Sequence, residues 1–152
     1  MSSIIFDEGY RTFDINGGPN RVLRINPADI GILDRMMKAY EDMQKDMAEL
    51  GDIKISNTGD AIGDAAEVVE TIRALNRTLR KRFDEIFYDG AADVVFGLQN
   101  PLATAGGKTI FEGFMEAFFK EVKPMLEDEQ KKSSENLKKY KDQYDRFTAN
   151  KS

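Results

Sequence analysis

Gly107, Lys108 and Thr109, within the stretch TAGGKTIFEGF, are residue types that together can bind phosphate. A nucleotide-binding phosphate loop reads G-x-x-x-x-G-K-[ST], and its first glycine permits a tight backbone turn. Leu102 occupies that first position here, and the neighbouring Pro101 has no amide to donate to a phosphate. The alternating strands and helices of a parallel sheet, which would carry such a loop, are also missing from the pattern. We interpret the GGKT segment as a turn before a helix, and a nucleotide-dependent enzyme using Lys108 and Thr109 is the alternative.

Histidine and cysteine are absent from the 152 residues, which limits the chemistry that the chain could catalyse. Histidine is the usual general base near neutral pH, and it shares with cysteine the main role in binding transition metals. A metal site would therefore consist of carboxylates and suit calcium or magnesium. Asp60 and Asp64, in NTGDAIGDAAE, lack the alternating oxygen ligands of a calcium loop and are typical of a helix start. We expect a protein that is not an enzyme and has no metal or cofactor.

The charge balance argues against broad binding of nucleic acid. The formal net charge is −5, whereas affinity for a phosphate backbone comes from lysine and arginine side chains that displace counterions. One basic run occupies residues 73–82, but Glu70, Asp84 and Glu85 border it on a segment with strong helical character. We interpret the run as a solvated helix face, with a nucleic-acid patch as the alternative.

The hydrophobic residues are dispersed along the chain. No apolar run approaches the roughly 20 residues that a membrane-spanning helix requires. The first residues lack the basic flank and long apolar region of a secretory signal, and without cysteine there is no disulfide framework that would favour export. We therefore expect a cytoplasmic protein that does not enter a membrane.

Two short alternating stretches near the N-terminus predict a β-hairpin. Phe13 and Ile15 fall on one face of YRTFDI, and Leu23 and Ile25 fall on one face of RVLRI. The connection NGGPN between them is rich in residues that adopt turn conformations. Because a two-stranded hairpin is marginally stable alone, we expect its apolar face to lie against helices.

Apolar residues spaced three and four apart predict long helices after the hairpin. Asn26 as cap and Pro27 at the first helical position mark the start of the first helix. Thr109 and Glu112 have the T-x-x-E spacing of a capping box at the start of a later aromatic helix, and Pro124 indicates a kink or a fresh start. The predicted helices cover residues 27–50, 60–88, 109–120 and 124–150.

The predicted fold class is mostly α (α+β). A chain of 152 residues has a natural size for one domain with one core. We therefore predict a single domain, residues 1–152, in which a hairpin within residues 1–25 packs on a bundle of four to five helices.

Two apolar stripes are candidates for contact with another protein. The first predicted helix is rich in methionine, whose flexible side chain suits a surface that adapts to varied partners, although methionines also simply fill cores. The last predicted helix is polar except for a sparse aromatic stripe, which cannot stabilise a free helix and requires a partner surface. That surface could be the chain's own core, a second copy or a client. The candidate partner-binding residues are Met36, Met43 and Met47 in the first helix and Leu137, Tyr140, Tyr144 and Phe147 in the last.

Five stretches, taken in order, carry a likeness to a known family. They are ING at residues 15–17, RINPADI at 24–30, DVVFG at 93–97, NP at 100–101 and FEGFMEAF at 111–118. With the charged terminal helix that follows them, the chain resembles the tail assembly chaperone-like proteins of long-tailed, siphovirus-type phages and prophages of Gram-positive bacteria.

The resemblance implies a non-enzymatic role in the cytoplasm of an infected or lysogenic bacterial cell. Members of that family escort the long tape-measure protein and help to recruit tail tube subunits, and they are generally not retained in the finished tail. The tape-measure protein and the tail tube protein are therefore the expected partners, with a homo-oligomer as a further option. The alternatives are a structural tail component that stays in the virion, such as a completion or connector protein, and a helical adaptor unrelated to phages.

Overall fold

The computed structural model of the chain describes residues 1–55 and 61–149, with the backbone alone for residues 50–55, 61–64 and 147. The structure confirms the predicted fold class. It is mostly α, with an N-terminal antiparallel hairpin and four helices among the described residues. The elements in chain order are β1 (Arg11–Asp14), β2 (Val22–Ile25), α1 (Gly31–Ile55), α2 (Ala61–Ile86), α3 (Ala91–Phe96), β3 (Thr104–Ala105), β4 (Lys108–Thr109) and α4 (Ile110–Ala149).

β1 and β2 form the predicted hairpin, with Phe13 opposite Leu23 in the antiparallel register. Leu23 and Ile25 are buried and Phe13 packs against the core, so the predicted apolar face of the hairpin does lie inward. Asn16 and Gly17 adopt positive φ in the turn, a conformation that these two residue types tolerate best. The local sequence signal was therefore sufficient to predict this element.

Two arginines fix α1 antiparallel to α2. The Arg35 Nε donates a hydrogen bond to the Ile86 carbonyl at 2.8 Å, so the start of α1 lies beside the end of α2. About three turns further along α1, Asp46 accepts a hydrogen bond from Arg82 Nε at 3.0 Å. That hydrogen bond raises the pKa of Arg82 above its ordinary value. The two contacts hold the register of the helix pair.

An aromatic cluster centred on Phe83 fixes the first half of α4 against the end of α2. Phe83 is completely buried. Its ring centroid lies 5.0 Å from that of Phe87, 4.8 Å from that of Phe96, 6.3 Å from that of Phe111 and 5.4 Å from that of Phe114. Tilted and edge-on pairs at these separations are favourable beyond the apolar area that they bury. The cluster therefore sets where α4 lies relative to α2.

The predicted first helix, residues 27–50, was wrong at both ends. Asn26 Oδ1 accepts a hydrogen bond from the Ala28 amide at 2.9 Å, and Asp29 Oδ1 accepts one from the Gly31 amide at 2.8 Å. These bonds to amides two residues ahead stabilise successive turns, so the helix begins only at Gly31. It continues to Ile55, past the predicted end.

The predicted second helix, residues 60–88, is observed as Ala61–Ile86 and is followed by the short helix α3, which was not among the predicted helices. The Asp84 carboxylate accepts hydrogen bonds from the amides of Gly90 and Ala92, at 3.1 and 2.8 Å. Those amides belong to the start of α3, so a side chain of α2 caps the next helix. Asp84 precedes these two amides by six and eight residues, which is further than an ordinary capping motif spans in the sequence.

The predicted break between helices 109–120 and 124–150 was also wrong, because α4 runs unbroken from Ile110 to Ala149 with Pro124 inside it. Proline has no amide, so the carbonyl of Lys120 loses its helical partner. Pro124 and Lys120 are both exposed, and water can satisfy that carbonyl. Within residues 1–55 and 61–149, no helix is both long and apolar enough to pass through a bilayer.

Candidate protein-binding site

The GGKT segment forms the turn of a small hairpin. β3 pairs antiparallel with β4, with Ala105 opposite Lys108, and Gly106 and Gly107 occupy the turn with φ of 63° and 84°. The Lys108 amine donates a hydrogen bond to the Glu116 carboxylate at 2.5 Å, and this contact raises the pKa of Lys108. The segment is thus a turn, and the Lys108 amine is paired with Glu116 of α4.

The loop before α4 positions the first aromatic residue of that helix. Thr109 Oγ1 accepts a hydrogen bond from the Glu112 amide at 3.1 Å, which is the threonine half of the predicted capping box. The Ile110 amide donates to the Ala103 carbonyl at 2.8 Å, and the Phe111 amide donates to the Pro101 carbonyl at 3.0 Å. With Pro101 itself buried, this loop fixes where α4 starts.

The basic run at residues 73–82 is only partly the solvated face that its pattern predicts. Arg80 donates hydrogen bonds to the carbonyls of Gly97 and Gln99 and forms an ion pair with Asp93 at 2.8 Å, so it holds the end of α3 and the loop beyond. Arg82 is engaged with acidic residues of α1. The prediction was therefore wrong for these two arginines, whose donors are used inside the molecule.

No three acidic side chains converge as metal ligands would in the part of the chain that the structure describes. Asp60 lies outside that part, and the side chain of Asp64 also lies outside it.

Helices α1, α2 and α4 enclose an apolar groove with a volume of about 480 Å³. The groove is open to solvent along one side. Its volume falls within the range of small-molecule sites in proteins, and hydrophobic linings are usual for such sites. The lining residues are Leu33, Met36, Met37, Tyr40 and Met43 of α1, Ile86 of α2, and Phe111, Met115 and Phe119 of α4.

The walls of the groove are exposed, although its floor belongs to the core. Met37 is 63% exposed, Tyr40 57% and Phe119 45%, whereas Met43 and Ile86 are buried. Large apolar side chains scattered singly on a surface need no explanation, but a contiguous apolar patch in a concave site is typical of a binding surface. The groove is thus a surface that another apolar group can cover.

Helical spacing builds the two walls. Leu33, Met37 and Tyr40 are four and three residues apart, so they form one row along α1. Phe111 and Phe119 are eight residues apart, with Met115 midway, and form the facing row on α4. Sequence analysis identified methionines of α1 as candidates but did not include the α4 wall. The four-residue spacing of that wall was the signal that could have indicated it.

The structure separates the three candidate methionines of α1. Met36 is half-buried in the groove wall, Met43 lies in its buried floor, and Met47 is 44% exposed beyond the groove. Met43 therefore fills the core, as the alternative interpretation of these methionines stated. Met37 and Met115, by contrast, line the groove with Met36 and give it flexible walls.

The candidate stripe of the last helix lies on a part of α4 that extends away from the rest of the molecule. Val122 is the last buried residue of α4, and each side chain that the structure describes from residue 127 onward is exposed. We call residues 127–149 the α4 tail; 23 residues of helix span about 35 Å. Leu137 and Tyr140 are each 70% exposed and Tyr144 is 65% exposed, while the side chain of Phe147 lies outside the described residues.

The two candidate surfaces are therefore not brought together within one molecule. Leu137 follows Phe119 by 18 residues on the same unbroken helix, which places it about 27 Å further along the axis. Leu137, Tyr140 and Tyr144 all remain exposed, so the core of their own molecule does not bury the stripe.

In comparisons with known proteins, no family model, no curated protein and no solved structure matches this chain. The groove and the exposed α4 tail are the structural features from which we infer a function.

Proposed function

We propose that this protein acts without catalysis, by binding an amphipathic helix of another polypeptide in the groove between α1 and α4. The observation that carries the proposal is the groove itself, an open apolar concavity of about 480 Å³. Its exposed walls would lose contact with water when a partner covers them, which is the main favourable term in protein association. Tyr40 and Phe119 are the aromatic side chains best placed to contribute to that binding.

A helix is the partner secondary structure that such a groove fits. Amphipathic helices bind grooves by inserting apolar side chains at positions i, i+3, i+4 and i+7, so a groove between two roughly helical walls can receive one such stripe. Met36, Met37 and Met115 give the walls side chains that repack without large cost. A groove of this kind can accept several similar segments of one long partner helix.

The sequence resemblance supplies the identity of the partner in this proposal. The client is the tape-measure protein of a siphovirus-type phage or prophage, and the protein escorts it in the cytoplasm of the host cell and helps to recruit tail tube subunits. A long helical client exposes many apolar stripes before the tube assembles around it, and each stripe is an aggregation risk if it is left uncovered. Covering those stripes reversibly is the work that we assign to the groove.

The experiment is co-expression with the tape-measure protein that this proposal names as the client, followed by a pull-down. We expect the wild-type protein to keep the partner soluble and to capture it. Met37→Glu or Tyr40→Glu should lower capture at least roughly tenfold, because each places a charge in an apolar wall. Leu98→Glu is the matched control, since Leu98 is fully exposed and lies outside the groove.

Two results would contradict the proposal. One is a partner that stays insoluble and unbound beside the wild-type protein. The other is capture that Met37→Glu and Tyr40→Glu leave unchanged while both variants remain folded.

Two further measurements separate the alternatives. Mass spectrometry of purified particles should find an escort scarce or missing, whereas a retained structural component would be present in stoichiometric amounts. Magnesium-ATP should leave the melting temperature unchanged at millimolar concentration, whereas a nucleotide site using Lys108 and Thr109 would raise it by mass action on the folded state.

A further inference from the structure

We propose that the α4 tail of one molecule binds in the groove of a second copy of this chain. This inference goes beyond the proposed function, because it concerns the protein in the absence of any client. It rests on two apolar surfaces, the stripe of the α4 tail and the groove, neither of which is covered by any of the residues that the structure describes.

The geometry requires a separate molecule to supply the tail. Phe111 and Phe119 line the groove from the same continuous helix that carries Leu137, so the tail extends away from the groove that its own helix helps to build. Reaching that groove would require α4 to fold back on itself, which an unbroken helix cannot do. A second copy has no such restriction.

The composition and the apolar stripe of the α4 tail favour binding to another surface. The α4 tail is not rich in alanine, and its described side chains are exposed, whereas most of the stability of a protein helix comes from packing an apolar face on another surface. Leu137, Tyr140 and Tyr144 are three and four residues apart and form a single stripe along the tail. Tyrosine is among the residues that contribute most to binding when they insert into an apolar site.

Charge complementarity selects a copy of this chain as the occupant. The α4 tail has six acidic and six basic residues in all, but residues 131–141, which contain Leu137 and Tyr140, include five lysines and one glutamate. Residues 1–126, which form the body of the molecule, include 21 acidic and 15 basic residues and carry a net charge of −6. A basic helix segment is therefore attracted to the body of another copy, although the bodies repel each other.

The same complementarity appears at the level of single residues. On the groove, Asp34 follows Leu33 and Glu41 follows Tyr40; both carboxylates are exposed and neither is part of an ion pair among the described residues. On the tail, Lys138 follows Leu137 and Lys141 follows Tyr140. Leu33 and Tyr40 on the groove thus have an acidic neighbour, and Leu137 and Tyr140 on the tail have a basic one, whereas Lys38 follows Met37 and Asp145 follows Tyr144.

Reciprocal binding closes the assembly as a dimer. Each copy has one tail and one groove, so two copies related by a two-fold axis exchange tails and form two identical contacts. The tail then covers the groove while no client is present. A client helix has to displace it, and the dimer protects both apolar surfaces until that exchange takes place.

The first experiment measures the mass of the purified full-length chain by light scattering or sedimentation, up to about 200 µM, where even weak dimers are populated. We expect twice the monomer mass of 17.2 kDa at high concentration. Tyr140→Ser with Tyr144→Ser should weaken the dimer at least roughly tenfold, and Leu98→Ser, also on an exposed apolar residue, should leave it unchanged.

The second experiment exchanges the charges. A first variant carries Lys138→Glu and Lys141→Glu on the tail, and a second carries Asp34→Lys and Glu41→Lys on the groove. Each variant alone should be monomeric, because tail and groove then carry like charges. An equal mixture should dimerise, since both tail–groove contacts of the mixed dimer regain opposite charges.

Three outcomes would overturn the inference. They are a wild-type chain that stays monomeric at the highest concentration, a dimer that survives both tyrosine substitutions, and charge variants that do not pair when mixed. A photo-reactive residue at position 140 should cross-link to α1 or α4 groove residues of the other copy. Cross-links between two tails would indicate that the tails pair as a coiled coil and do not bind in the groove, and this result would also refute the inference.

Discussion

Replacing Phe83 by alanine should strongly destabilise the protein and loosen the wall of the groove. The ring is completely buried and lies within 6.3 Å, centroid to centroid, of four other aromatic rings. Truncation of a buried phenylalanine to alanine costs about 3–5 kcal/mol, because apolar burial is lost and a cavity remains. For a chain of this length about 1 kcal/mol lowers the melting temperature by about 2–4 °C, so a decrease of about 6–20 °C is expected.

Urea unfolding followed by circular dichroism measures this loss directly. Phe83→Leu is the matched variant, because leucine keeps most of the volume and should cost clearly less than alanine. Since Phe111 and Phe114 rest on Phe83, the alanine variant should also bind a client less tightly at a temperature where it is still folded. A change in unfolding free energy below about 1 kcal/mol would refute the packing described here.

The remaining predictions concern the tail, the α3 clamp and the GGKT turn. Tyr140→Ala with Tyr144→Ala should change the unfolding free energy of the dilute protein by less than about 0.5 kcal/mol, because both side chains are exposed; circular dichroism melting checks this, and unfolding would mean that the stripe belongs to the core. Arg80→Met should cost about 2–4 kcal/mol in urea unfolding, since it leaves carbonyls at the end of α3 without a donor. Gly107→Ala should lower stability by about 1 kcal/mol in thermal unfolding, because alanine is strained at a φ of 84°.

The elements that sequence predicted well are those specified by neighbouring residues. In the hairpin, the alternation around Phe13 and Leu23 and the turn residues between them lie within fifteen positions of each other. The turn at Gly106 and Gly107 is also specified by its own residues, because glycine adopts both positive φ values without strain.

The helix ends could not be predicted, because distant or competing contacts determine them. Asp29 stabilises a turn where the pattern indicated an established helix, and Asp84 caps a helix that begins seven residues later. Pro124 was expected to divide α4, but the helix continues through it at a solvated position. Aspartate and proline are residue types that often mark helix ends, but the sequence does not show which amide each aspartate binds or whether the proline is solvated.

The groove itself depends on tertiary packing. Periodicity identifies an apolar stripe on α1, yet it cannot say which of its residues face the core and which stay open. Met43 is buried on the side of α1 on which α2 packs, whereas Met37 is exposed in the groove wall. Arg80 shows the same limit for charge, since a residue predicted to be solvated holds the end of α3.

Methionine methyl NMR on the isotopically labelled protein, during titration with helical segments of the proposed tape-measure client, tests the central claim most directly. If a client helix enters the groove, the signals of Met36, Met37 and Met115 should shift and saturate together. Met1, which lies outside the groove on the N-terminal segment, should keep its position. Saturating partner that leaves the three groove signals unmoved would contradict a function based on helix binding in this groove.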